Sequence, residues 1–183
     1  MREAAEGASE LGLEGISIGS LAASLGMSKA GVAGHFKSKQ DLQLEVVEYG
    51  AREFAAHVWE PNAERAPGRD RLLACLDTWY AYSARGPFRG GCLMTSAATE
   101  FDGRPGPVRE AVAATWGHWT TVLRNDLDTA IDAGELAPPL PPADAITAVE
   151  SLATGVNQQA QLYGEKHPEK TASAAARVLL GLA

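Results

Sequence analysis

The sequence predicts an all-α protein of about nine helices, with a three-helix head on a longer helical body. Three observations predict it. Apolar residues recur at helical spacing in one segment after another, and no stretch alternates apolar and polar residues as a half-buried strand would. Serines stand directly before several of these segments, where a hydroxyl caps the start of a helix. Glycine and proline close them, at Gly26, at Gly86-Pro87, across Gly103–Pro107 and at Gly134.

Met1–Leu11 reads as a helix with Ala5, Ala8 and Leu11 on one face, closed by Gly12 and Gly15. Ser17 caps a short helix running to about Leu25, whose apolar stripe is Ile18, Leu21, Ala22 and Leu25. Gly26 ends it as a glycine free to turn left-handed, and Met27 is expected to fill the angle that follows. Ser28 caps the next helix, from Lys29 to about Phe36. Two short helices about such a turn make a helix-turn-helix. Ser38 then caps a long helix from Lys39 to about Trp59, with Asp41 placed as in a capping box. Its core face is carried by Leu42, Val46, Val47, Phe54 and Val58.

Beyond the Pro61–Gly68 linker, Arg69–Ala84 turns Leu72, Leu73, Leu76, Trp79 and Tyr80 inward. Cys92–Phe101 is a short apolar segment. From Pro107 to about Ala133, Val108, Val112, Trp116, Trp119, Leu123, Leu127 and Ile131 keep helical spacing. Ala143–Gly164 carries Ile146, Val149, Val156, Ala160 and Tyr163 on one face, and Glu169–Leu182 is rich in small residues. These last two helices form a short-looped pair suited to packing on a second copy across a two-fold axis. The division expected is residues 1–45 as head and 46–183 as body.

Of the 183 residues, 45% are apolar and 21% charged, which suits a globular domain with a real core. No apolar run is long enough to span a bilayer, and no signal segment opens the chain, so no membrane partner and a cytoplasmic location are expected. Cys75 and Cys92 match neither metal-ligand spacing nor a disulfide framework, so reduced thiols and no metal or cofactor are expected. The net charge is −7, yet Gly15–Gln40 has three lysines and no acid, which makes it +3 and the remainder −10. A basic window on an acidic body is the electrostatic footprint of one phosphate-facing surface.

Gly26–Lys39 reads Gly-Met-Ser-Lys-Ala-Gly-Val-Ala-Gly-His-Phe-Lys-Ser-Lys. This stretch resembles the tetracycline-repressor (TetR) family of transcriptional regulators, and Ser17 and Leu21-Ala22 fit the same pattern. The motif covers about the first 45 residues; over the rest of the chain the resemblance is architectural. Gly90-Gly91-Cys92 and Gly106-Pro107-Val108-Arg109 are similar to one branch of such regulators. The resemblance implies a homodimer on a palindromic double-stranded DNA operator and a small-molecule effector site in each body. It also implies repression relieved by that effector. The sequence departs from the pattern where Ala33 replaces an expected aromatic, between Gly31 and Gly34. Each interior glycine costs a helix roughly 1 kcal/mol.

An α-helix in a major groove presents its N-terminal residues to base edges, here Ser28, Lys29, Ala30, Gly31 and Val32. Lys29 suits guanine or a phosphate, and Ala30 and Val32 suit a thymine methyl. Ser17 is placed for a phosphate, and His35, Lys37 and Lys39 form a backbone clamp, with Lys39 the most secure by its motif position. In the body, Trp79, Tyr80, Tyr82, Phe88, Cys92, Met94, Phe101, Trp116 and Trp119 are the expected lining of an effector pocket. Arg109, His118 and Gln158 are its expected polar contacts. Cys92 with His118 lacks a recognisable third orienting group, so an enzyme is not expected. Two alternatives remain: a thiol-based redox regulator acting through Cys92, and a helical ligand-binding dimer whose DNA head has decayed.

Overall fold

The structure, a computed structural model, describes residues 1–182. Nine α-helices and no strand occur among them: α1 (Arg2–Leu11), α2 (Ile18–Ser24), α3 (Lys29–Ala33), α4 (Lys39–Phe54), α5 (Arg69–Arg85), α6 (Leu93–Phe101), α7 (Pro107–Asp132), α8 (Pro142–Gln161) and α9 (Pro168–Leu179). The all-α expectation therefore holds. Four boundaries differ from the spacing argument, two of them because α8 closes at Gln161 rather than Gly164 and α9 at Leu179 rather than Leu182. The third helix stops at Ala33 rather than near Phe36, where Gly34 follows and nothing favours another turn. The long fourth helix changes pitch at Phe54, passing into a π-helical turn (Ala55–Trp59) and a single 3-10 turn (Glu60–Asn62). No sequence rule marks that change.

The chain forms two compact units. The first joins Met1–Glu53 with Pro87–Thr115. Helix α1 packs through small residues, Ala4, Ala5, Ala8 and Ser9, so backbone comes close. A Cβ at Gly90 would collide with the Ser9 carbonyl, which is why glycine is needed there. Gly90 N donates to Ser9 Oγ at 3.1 Å and Arg89 N to Glu6 Oε1 at 2.8 Å. The turn after α1 is pinned from two sides. Glu100 of α6 accepts from Leu13 N at 2.7 Å and Glu14 N at 2.8 Å. Buried Gln43 of α4 donates to the Leu13 carbonyl at 2.9 Å. Leu11, Leu25 and Met27, expected inward, are instead exposed. They sit at helix ends and in the turn, beyond the packed face that Leu13, Ile16, Leu21 and Ala22 fill.

The second unit joins Phe54–Gly86 with the chain from Trp116 onward. Its core is built where α5 packs on α8 and α9. Tyr80 donates its hydroxyl to the Val149 carbonyl at 2.8 Å. Asp126 is fully buried, and Arg71 meets it at 2.6 Å while its guanidinium stacks 5.2 Å over the Trp59 ring. Arg177 of α9 reaches Asp77 of α5 at 2.7 Å. Tyr163, expected on the inner face of α8, lies past its end and is exposed, as are Leu162 and Val178. Because Pro87–Thr115 groups with the N-terminal segment, these packing units are a different partition from a head–body division at residue 45.

Candidate functional site

Helices α2 and α3 are capped from within. Ser17 Oγ accepts from Ser20 N at 3.0 Å while Ser20 Oγ accepts from Ser17 N at 2.9 Å. Ser28 Oγ accepts from Gly31 N at 3.1 Å. At the start of α4, Ser38 Oγ accepts from Asp41 N at 3.1 Å and the Asp41 carboxylate from Lys37 N at 2.9 Å. The α3 helix is short and mostly outside: Lys29, Ala30, Gly31 and Ala33 are exposed. Val32 is its only buried residue, at 3% exposure. Val32 therefore anchors α3 inward and is not available to a base edge, which corrects its expected role. Phe36, expected as core, is half-buried.

Ser17, Ser28, His35, Lys37 and Lys39 all reach the surface. Lys39 is already engaged: its ammonium meets Glu14 Oε2 at 3.0 Å, with both side chains substantially exposed. The Gln43 hydrogen bond, and after it the Lys39 one, hold the Glu14 carboxyl below its ordinary value. A phosphate contact from Lys39 would have to exchange with this pair. Lys29 and Lys37 are exposed and make no ion pair among the described residues.

Within the second unit, five aromatic rings gather at the start of the π turn. Phe54 meets Trp79 at 5.9 Å, Tyr82 at 5.6 Å, Trp116 at 5.9 Å and Trp119 at 5.2 Å between centroids, all edge-on. Trp79 also lies 5.3 Å from Trp116 and 5.7 Å from Trp119. The indole Nε1 atoms of Trp79, Trp116 and Trp119 are buried, and no protein acceptor meets them; Ser83 Oγ is in the same position. Sequence reasoning brought the three tryptophans and Tyr82 together but missed Phe54 and Ser83. A signal existed for Ser83, which stands four residues after Trp79 and so on the same helix face.

Residues 68–176 match the family described as tetracyclin repressor-like, C-terminal domain. The chain belongs to that family. A TetR transcriptional regulator from Chloroflexus aurantiacus J-10-FL is 27% identical, with 95% of this chain and 88% of that one covered at a TM-score of 0.81. AibR, solved with isovaleryl coenzyme A and operator DNA, is 22% identical over 98% of this chain and 97% of its own, at 0.79. FadR from Bacillus subtilis, solved with stearoyl-CoA, is 16% identical over 100% and 96%, at 0.74. These two share the fold. A search of curated proteins finds no match.

In this TetR-family chain the other expected effector contacts fall into two groups. Phe88, Cys92, Met94 and Phe101 are buried in the first unit, where Phe88 lies 6.5 Å from Tyr49. Arg109, His118 and Gln158 are exposed. Each neighbours a buried residue, Val108, Trp119 and Asn157, and one step along a helix is a rotation of about 100°. Arg109 donates instead to the Asp102 carbonyl at 3.1 Å. The three are corrected as interior contacts.

Both thiols of this TetR-family chain are buried. Burial pushes Cys75 up to about 11 and Cys92 upward as well, and Cys92 Sγ accepts from Thr95 N at 3.4 Å as the cap of α6. A protonated, buried thiol is a poor target for oxidants, which weighs against the redox alternative. Helices α8 and α9 and the turn between them form an open groove of about 880 Å³ lined by Leu152, Gly155, Val156, Ala172 and Ala175 and by Glu165, Lys166 and His167. Among the described residues, no helix is long and apolar enough to cross a membrane.

Proposed function

We propose that this chain is a ligand-responsive transcriptional regulator that binds double-stranded DNA as a homodimer. Residues 1–45 form its DNA-binding domain and 46–183 its effector-binding and dimerisation domain. It works as a repressor in the cytoplasm, without catalysis. It occupies a palindromic operator and leaves it when a small hydrophobic effector enters the body. The observation that carries this reading is the outer face of the helix-turn-helix. There Ser28, Lys29, Ala30, Gly31, His35 and Lys37 are exposed on an acid-free segment, while Val32 holds α3 from behind.

Small side chains on α3 favour close backbone approach, with Lys29 as the main base-reading group and DNA shape contributing the rest. The operator DNA and isovaleryl coenzyme A held by AibR, and the stearoyl-CoA held by FadR, support a regulator with two kinds of partner. Exposed Leu162, Tyr163 and Val178, at the C-terminal ends of α8 and α9, support dimerisation through the last two helices. The aromatic cluster around Phe54 supports an effector with a ring. Phe54 is also the last residue of α4, whose first is Lys39.

The test is salt dependence. Anisotropy of a labelled mixed-sequence duplex should show affinity falling steeply between 50 and 200 mM salt (~10-fold or more for three or more phosphates neutralised). A flat response would reject the phosphate-facing head.

A further inference from the structure

We propose that the aromatic cluster of the second unit takes a flat aromatic ligand bearing an oxygen acceptor, which the indole N–H groups of Trp79, Trp116 and Trp119 read together. The proposal rests on the effector reading above and adds the chemistry of the effector. Buried donors in folded proteins are almost always met by an acceptor, and leaving one unmet is costly. Here the rings of three tryptophans with unmet indole donors surround one phenyl ring, and Ser83 Oγ adds a fourth buried polar atom without a partner. Trp79 and Trp119 are 2% and 5% exposed, so bulk water does not serve them.

An indole N–H only donates. A lining of such groups therefore selects for an acceptor, such as a carbonyl, ether or carboxylate oxygen. The ring geometry selects for a flat apolar body. Phe54 sits edge-on to four rings at 5.2 to 5.9 Å, the arrangement that one aromatic ring makes inside a box of others. A ligand ring reproduces these contacts by taking the place of Phe54. The π turn beginning at Ala55 gives Phe54 a way to move, since π turns are local irregularities in the hydrogen-bond ladder and recur at functional sites. A cation would be drawn to ring faces and would leave the N–H groups unmet.

The test uses the full chain labelled with ¹⁵N-tryptophan and three probes: 2-acetonaphthone, its oxygen-free counterpart 2-ethylnaphthalene, and 1-naphthylmethylammonium. The four tryptophans give four indole signals, and Trp59, stacked under Arg71, is the internal control. The ketone should bind about tenfold more tightly than the hydrocarbon. It should move the Trp79, Trp116 and Trp119 N–H signals downfield and leave Trp59 in place. Trp119→Phe keeps a ring and removes one donor; it should weaken the ketone several-fold and leave the hydrocarbon unchanged. Equal binding of ketone and hydrocarbon, preference for the ammonium, or binding with no indole shift would each overturn the proposal. Release of DNA by a compound that leaves the three signals unmoved would overturn it and leave the effector reading standing. Ketone binding with the expected shifts but unchanged DNA affinity would do the reverse.

Discussion

The helix-turn-helix and the aromatic cluster are opposites in how they satisfy their polar groups. Around α2, α3 and the start of α4, the serine caps meet backbone partners at 2.9 to 3.1 Å. Nothing inside that region waits for a partner, and its chemistry faces outward as exposed lysines. Around Phe54 the unmet groups are inside, in the buried N–H groups of three indoles, with the buried Ser83 hydroxyl one helical turn from Trp79. The first region is complete as folded and presents its charge at the surface. The second keeps buried donors that no protein acceptor meets. In the regulator proposed above, the contrast separates reading a large polyanion from enclosing a small apolar molecule.

Removing Phe54 is the strongest way to break this contrast. Phe54→Ala deletes a ring that is 5% exposed and touches four others. Chemical denaturation should show a loss of about 3–5 kcal/mol. A loss under 1 kcal/mol would mean that the rings are loosely packed and that Phe54 is not their centre. Next is Glu100→Ala, which takes the acceptor from two backbone N–H groups of the turn after α1. The expected cost is about 1–3 kcal/mol, and amide exchange of Leu13 and Glu14 should rise with it. No change in that exchange would detach α6 from the turn.

The lysines should behave in the opposite way. Lys29→Ala and Lys37→Ala should leave stability within about 0.5 kcal/mol. Lys37→Ala, present in both heads of the dimer, should lower the salt slope of DNA binding by about 1.8, and Lys29→Ala should cost about 1–3 kcal/mol of discrimination at the base it reads. An unchanged slope for Lys37→Ala, or unchanged discrimination for Lys29→Ala, would remove that lysine from the interface. Lys39→Ala should weaken binding to all sequences alike. It should cost no more than about 1 kcal/mol of stability, because its pair with Glu14 is exposed. The smallest effect concerns Glu14. Its carboxyl is depressed in the folded chain, so its contribution is present above the unfolded value of about 4.3. That contribution is lost as pH falls through the lower folded value. Glu14→Gln should therefore flatten only the acid limb of the stability profile.

Much of this was legible in the sequence, for definite reasons. The caps at Ser17, Ser28 and Ser38 could be read because capping is local. The faces of α4, α5 and α7 could be read because apolar residues there repeat over many turns. Val32 was misplaced because α3 is only five residues long, too short for a period to show which side is inward. His118 and Gln158 were misplaced because each adjoins a buried residue, and spacing alone does not say which of two neighbours a pocket would use. The pitch change after Phe54 left no trace in composition. Nor did the reach of Glu100 to Leu13, a contact between residues far apart in the chain.

The most direct test of the regulator account is selection of duplex DNA by the full chain from a random pool at low salt. The account expects an enriched palindrome whose half-sites are read by two heads, spaced near one helical turn or a multiple of it. A pool that stays random after repeated rounds would contradict it and leave a helical ligand-binding protein without an operator.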